Sequence, residues 1–233
     1  MKQVLITGGA RGIGWGIAQA MLGAGYGVTV TGLTAEEVGA VPQQANLKAI
    51  TLDVTSDAQV ADCVRGLTRL DALVNSAGMV LRDGKEFTIP GFQKVIDVNL
   101  TGTMRMCMAA KPLLDRQGGA IVNIASVWSF FGGPLVPAYT ASKGGVAQLT
   151  KSLAVAWAPA IRVNAIAPGW IETDLTKAAQ ADKARSDAIV ARTPFGRWGK
   201  PEDIGGAVVF LCSDAAGFIT GTVLPVDGGY IAK

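Results

Sequence analysis

The chain has no histidine. That absence removes every imidazole triad and every histidine metal centre, so a proton moved near neutral pH must travel on another side chain. Cysteine is scarce. Cys63, Cys107 and Cys212 are odd in number, far apart and without CxxC spacing, which argues against a disulfide framework or a zinc site and leaves reduced core residues. No apolar run reaches membrane-spanning length, and a first strand starting at Gln3 leaves no room for a signal peptide. Charge is sparse too: 17% of residues are charged, and the net +3 is spread without a Lys/Arg cluster longer than a pair. Nucleic acid and membrane are therefore set aside as partners, while a small anionic ligand stays open. A cytoplasmic protein is the expectation.

What is present is apolar and regular. With 233 residues, 49% of them hydrophobic, the chain suits one large α/β domain, expected over 1–233. KQVLIT reads as a strand, GGARGIG as a glycine-rich turn, WGIAQAMLGAG as a helix and GVTVTG as a second strand. Further strands are predicted at 47–53, 70–76, 120–126, 161–167 and 222–227, and helices near 57–67, 92–110, 138–157, 181–192 and 201–212. The short TGLTAEEVGAVPQQAN leaves a helix of about two turns after the second strand. Strands rich in Val, Ile and Leu on both faces, alternating with helices, predict a doubly wound parallel sheet covered on both sides.

The chemistry concentrates in SVWSFFGGPLVPAYTASK, residues 126–143. Tyr139 and Lys143 are four apart in a helical pattern, so they share one helix face, and Ser126 closes the apolar strand AIVNIAS. A free Tyr titrates near pH 10, and a close ammonium favours its phenolate, so Tyr139 beside Lys143 is a candidate general acid and base. Ser126 is placed to hydrogen-bond the substrate oxygen that exchanges the proton. A plain helix start after a strand end would give the same spacing.

The second motif is the first turn. Gly8, Gly12 and Gly14 lie between strand and helix, where missing side chains let backbone approach a pyrophosphate and the helix N-terminus favours its charge. Three residues separate the first two glycines, unlike GxGxxG, and a tight strand-to-helix connection is the plain alternative. Asp53 ends the third strand and Asn75-Ser76-Ala77-Gly78 ends the fourth, at the same sheet edge.

Taken together, TGGARGIG (7–14), NSAG (75–78), VNL (98–100), the Ser126, Tyr139, Lys143 set and PGWIETD (168–174) resemble the short-chain dehydrogenase/reductase family over nearly the whole chain. The resemblance implies a single Rossmann domain, a nicotinamide cofactor and a homotetramer. It adds Asn99 to a tetrad with Ser126, Tyr139 and Lys143, holding a water that links Lys143 to solvent. It places Gly8, Arg11, Gly12, Ile13 and Gly14 at the cofactor, with Thr31, Asp53 and Val54 toward the adenosine. Asn75, Ala77 and Gly78 fall on the ribose side, and Pro168, Gly169, Ile171 and Thr173 at the nicotinamide end. Ser76 stands where the family often has a second Asn.

The family's acidic residue after the second strand, which repels a 2′-phosphate, is absent from TGLT (31–34), so NADP is favoured and NAD remains open. Arg11, Thr31 and Thr34 are the candidates to hold the phosphate, although Leu33 stands where NADP-using relatives often carry Arg. The substrate walls implied are Val127–Pro137 and a loop at about 170–197, with Trp128, Phe130, Phe131, Leu135, Trp170, Leu175 and Phe195. Such walls predict an apolar ketone. Three readings compete with it: a 3-oxoacyl carrier-protein reductase with Lys177 facing an acidic carrier, a sugar or polyol dehydrogenase, and a cofactor-binding regulatory protein without chemistry.

Overall fold

The computed structural model describes residues Met1–Lys233. One parallel sheet of seven strands runs through it in the order β3-β2-β1-β4-β5-β6-β7. The strands are β1 (Gln3–Thr7), β2 (Gly27–Gly32), β3 (Leu47–Thr51), β4 (Ala72–Asn75), β5 (Ala120–Ile124), β6 (Arg162–Pro168) and β7 (Val223–Val226). Each lies within two residues of its predicted bounds. The order reverses between β1 and β4, so their carboxyl ends part and leave the crevice in which open α/β sheets bind ligands.

Two cores explain the layering. On one face Ile6, Val30 and Val74 meet Ile17 and Met21 of α1 (Gly12–Gly23) and Ile204 and Val208 of α9 (Pro201–Cys212). On the other, Leu5, Leu73 and Ile121 meet Val60 of α3 (Asp57–Arg65), Met106 and Leu114 of α5 (Gly102–Asp115) and Leu153 of α6 (Pro137–Trp157). Strands buried on both faces carry the near-continuous apolar runs seen in the sequence. No helix is long and apolar enough to cross a membrane.

Three elements depart from the sequence expectation. The segment after β2 forms only α2 (Ala35–Gly39), five residues capped by the Thr34 hydroxyl. The predicted helix at 92–110 is two helices, α4 (Ile89–Ile96) and α5, joined by a wide π turn at Asp97–Thr101. The cause is local. Asn99 hydrogen-bonds with both backbone groups of Met79, and Gly102 comes so close to Val54 that a Cβ there would lie 2.7 Å from the Val54 side chain. The helix expected at 181–192 is α8 (Lys183–Arg192), begun by the Asp182 side chain capping Arg185 N–H, and a short α7 (Lys177–Ala181) that was not expected precedes it.

Candidate active site

The glycine turn is built by close approach. A Cβ on Gly14 would stand 2.3 Å from the Gly8 carbonyl oxygen, and Gly8 itself has φ +61° with its missing Cβ 2.8 Å from the Ala77 backbone. No larger residue fits either place. The Thr31 hydroxyl accepts from Gly8 N–H (3.2 Å), and the Thr7 hydroxyl accepts from both Ser76 and Ala77 N–H (3.1 Å each), fastening the turn to β2 and β4. The result is a side-chain-free cradle over the N-terminus of α1, which fits the pyrophosphate of a dinucleotide.

Several expected cofactor residues are engaged elsewhere. Thr31 is buried and accepts from Gly8 N–H, which puts its hydroxyl out of a phosphate's reach, while the exposed Thr34 hydroxyl accepts from Glu37 N–H to cap α2 and keeps its O–H to donate. Asn75 points into the core, donating to Asn123 Oδ1 (2.9 Å) and Cys107 Sγ (3.2 Å), away from a ribose. Val54 is buried against Gly102, and the Ile13 and Ile171 side chains pack in the core, which leaves these positions only backbone to offer. Asp53 accepts from the Thr55 N–H and hydroxyl (2.9 and 2.8 Å). Gly169 lies against Asp227, where a Cβ would meet the Asp227 Cα at 2.7 Å, just beyond Pro168 at the end of β6. Thr173 sits beside Gly12, 3.4 Å from where a Cβ would be, so the 170–176 loop reaches back to the glycine turn. Arg11 is exposed and pairs with Glu37 (3.2 Å) and Asp174 (3.7 Å).

The proton-handling side chains do converge. Lys143 is buried and its ammonium donates to the Ile124 carbonyl (2.6 Å), while its Nζ lies 5.7 Å from the centre of the Tyr139 ring. Gly78 borders the group: a Cβ there would lie 3.5 Å from Asn99 Oδ1 and 3.7 Å from Lys143 Nζ. Asn99 also donates to Ser142 Oγ (3.0 Å), whose hydroxyl donates to the Tyr139 carbonyl (2.7 Å). Ser126 accepts from Trp128 N–H (3.2 Å) at the end of β5.

The electrostatics differ from the sequence expectation. Burial pushes the Tyr139 phenol up to about 12, the Glu86 charge adds to the rise, and the Ser126 hydroxyl and Arg82 charge oppose it. Burial also brings Lys143 down to about 8. The ammonium is turned to a carbonyl, so Tyr139 is held as a neutral phenol, a proton donor in waiting, and Lys143 titrates close to neutrality.

Three charged residues at this edge escaped the sequence reading. Glu37 brings a carboxylate to the end of β2 from the first turn of α2, accepting from Leu33 N–H (2.7 Å). Its signal was an acid 23 positions after Gly14, near the spacing at which dinucleotide folds place their ribose acid. Arg82 and Glu86 follow NSAG in a stretch with no motif, and nothing in the sequence marks them.

A family model described as enoyl-(acyl carrier protein) reductase matches residues 8–231. The chain is 43% identical to a 2-dehydro-3-deoxy-D-gluconate 5-dehydrogenase of Bacillus subtilis (strain 168), over 100% of this chain and 95% of that one. Among solved structures it superimposes on a gluconate 5-dehydrogenase from Burkholderia cenocepacia J2315 in complex with NADP and tartrate. The TM-score is 0.94 at 34% identity, covering 100% of this chain and 96% of the other. A short-chain type dehydrogenase/reductase from Mycobacterium ulcerans gives TM-score 0.93 at 31% identity, covering 100% and 90%. With this sheet order, this glycine turn and these relatives, the chain belongs to the short-chain dehydrogenase/reductase family, and it is a nicotinamide-dependent oxidoreductase acting on CH–OH and C=O groups.

Proposed function

We propose that this enzyme is an NADP-dependent dehydrogenase of a polyhydroxylated acid, interconverting a secondary alcohol and a ketone on a sugar-acid chain. The observation that carries the reading is Arg82. Arg11, Arg65, Arg69, Arg105 and Arg197 pair with carboxylates, Arg185 and Arg192 lie over aromatic rings, Arg162 is tied to the Leu211 and Ser213 carbonyls, and Arg116 is exposed at the end of α5. Arg82 has no carboxylate partner, is partly buried, and donates to the Leu175 carbonyl (2.7 Å) across the mouth of the site, within electrostatic reach of Tyr139. A guanidinium so placed is a fork for a substrate carboxylate. The relatives above, named for gluconates and one of them holding NADP and tartrate, support the same substrate class and cofactor.

This replaces the apolar ketone. The aromatic residues behind that expectation pack on one another: Trp128 meets Phe131 and Trp170 at 5.0 and 6.0 Å between ring centres, and Trp170 meets Trp198 at 5.7 Å. Trp198 and Tyr230 are buried. The cluster therefore buttresses the 170–197 loop, where Arg185 and Arg192 cover its rings, while Phe130, Leu135, Leu175 and Phe195 stay outside it and exposed.

In this reading a nicotinamide cofactor held over the Gly8, Gly12 and Gly14 turn would supply the hydride chemistry. Tyr139 exchanges the proton with the substrate oxygen, Ser126 holds that oxygen, and Lys143, freed from Ile124, steadies the phenolate. Asn99 fixes Met79 and the start of α6, and the glycine turn binds the pyrophosphate. The homotetramer belongs to the same proposal, supported by apolar Met108 and Val155 exposed on α5 and α6.

The test compares D-gluconate with a neutral polyol such as threitol in the parent and in Arg82→Met. The expected result is a rise in KM for the acid of roughly tenfold or more, the scale of a charge-assisted hydrogen bond, with the polyol unaffected. Turnover confined to neutral polyols, or equal effects on both substrates, would overturn the acid reading.

A further inference from the structure

Glu86 is a buried acid with no cation within ion-pair distance, only 1% exposed, in a one-turn segment at Lys85–Phe87. Its two carboxylate oxygens are used separately: Oε1 accepts from Leu81 N–H and Oε2 from Tyr139 N–H, each at 2.9 Å. The second bond meets a real need. Helix α6 starts without a side-chain cap from Val136, and Pro137 at its first position has no N–H, so Tyr139 carries an amide that the helix itself cannot satisfy. A carboxylate there also suits the helix dipole. Leu81 directly precedes Arg82, so one side chain joins the loop at the substrate mouth to the backbone of the tyrosine. Glu86 and Arg82 are the charges that act on Tyr139, and Lys143 from α6 lies over its ring, while Lys94 on α4 and the neighbouring Asp83 and Lys85 are exposed.

We propose that Glu86 is a positioning residue for proton transfer, fixing the start of α6, and with it the Tyr139 ring, against the Arg82 loop through two N–H groups that it accepts together. The inference rests on the reading of Tyr139 as the proton-exchanging group. A carboxylate is required because both bonds need acceptors. Glutamine would turn its NH2 toward one of the two donors and leave that N–H unsatisfied, and aspartate would be one methylene short. The charge has a second consequence. It disfavours phenolate at Tyr139, so removing it eases deprotonation of the phenol.

The experiment measures kcat, KM and the pH profile of alcohol oxidation in Glu86→Gln, Glu86→Asp and Tyr139→Phe, with NADPH affinity read by fluorescence titration. Glu86→Gln should bind NADPH like the parent, lose roughly tenfold in kcat from a misplaced ring, and shift the ascending limb of its profile to lower pH. Glu86→Asp should lose kcat but keep its limb closer to the parent, because the charge remains. Parent kcat in Glu86→Gln, or a lowered kcat with an unmoved limb, overturns the proposal, the latter by showing a merely structural role. Should Glu86→Gln fail to bind NADPH, Glu86→Asp decides: full kcat overturns the proposal and reduced kcat with intact binding supports it. If Tyr139→Phe turns over normally, the underlying reading of Tyr139 falls; if that variant is dead while both Glu86 variants match the parent, only the present inference falls.

Discussion

The two halves of the sheet's carboxyl edge are made in opposite ways. Around β1 and β2 the surface is defined by what is missing: Gly8 and Gly14 leave room for a ligand, and the hydroxyls of Thr7 and Thr31 are turned to backbone to hold that room open. From β4 to β6 it is defined by what is inserted. Lys143, Ser126 and Glu86 are buried polar groups, each with a protein partner. A cradle of absences binds by backbone and is damaged by adding atoms. A cluster of buried charges works by proton affinity and is damaged by removing them.

The largest expected effects test that contrast directly. Tyr139→Phe deletes one oxygen, and turnover should fall by roughly 10²-fold or more while NADPH binding persists, the range for losing a general acid. Unchanged turnover would sink the assignment. Gly14→Ala adds one methyl 2.3 Å from the Gly8 carbonyl, a contact that backbone must move to relieve. Cofactor affinity should drop by roughly tenfold or more, since the pyrophosphate is held by that same backbone. Isothermal titration of the variant with NADPH decides it, and parent-like affinity would mean that the turn binds nothing.

The same contrast explains what could be read from the sequence. Absences leave a local signature: glycines at fixed spacing between a strand and a helix announce a cradle, and alternating apolar runs announced all seven strands. Tyr139 and Lys143 were legible because one helix carries both. Glu86 and Arg82 were not, since their roles arise from a loop folding back onto α6 and onto Leu175, a long-range arrangement with no local pattern. Asn75 misled for a related reason. It ends β4 at the right edge, but side chains alternate along a strand, and this one turns inward to Asn123. The Tyr139 phenol stands high and not low because its burial is not answered by the Lys143 ammonium, which is turned to the Ile124 carbonyl.

A different effect concerns stability and its sign. Lys143 titrates at about 8 in the folded chain against 10.5 ordinarily. Between those values the unfolded chain holds a proton that the folded chain has released, so this group makes stability rise with pH across that window. Tyr139, raised from 10 to about 12, acts oppositely above pH 10. Thermal melts of the ligand-free parent and Lys143→Met should therefore show the parent gaining on the variant from pH 8 to 10.5. The total is about 3 kcal/mol, whatever the offset from the lost Ile124 bond. A constant gap would show that Lys143 is not held as a strained cation.

The smallest effect lies where the contrast blurs, because Glu37 is an inserted charge in the half made of absences. Its Oε2 accepts from Leu33 N–H at 2.7 Å, and its Oε1 lies 3.2 Å from Arg11 Nε, so one carboxylate holds the end of β2 and neutralises the nearest cation that could meet a 2′-phosphate. Arg11 is 63% exposed and Glu37 26%, which makes the pair a weak, exchangeable one. NADPH then gains Arg11 only by drawing it from Glu37 and from the more distant Asp174, and its phosphate meets the Glu37 carboxylate as a like charge, whereas NADH meets neither obstacle. Glu37→Gln keeps an acceptor for Leu33 and leaves Arg11 only its longer pairing with the exposed Asp174 (3.7 Å). The ratio of NADPH to NADH affinity should rise by roughly fivefold, the scale of one exposed ion pair, and the gain should shrink with added salt as the phosphate is screened. An unchanged ratio at low salt would place the 2′ position beyond the reach of Glu37 and leave the selectivity of this half to its backbone alone.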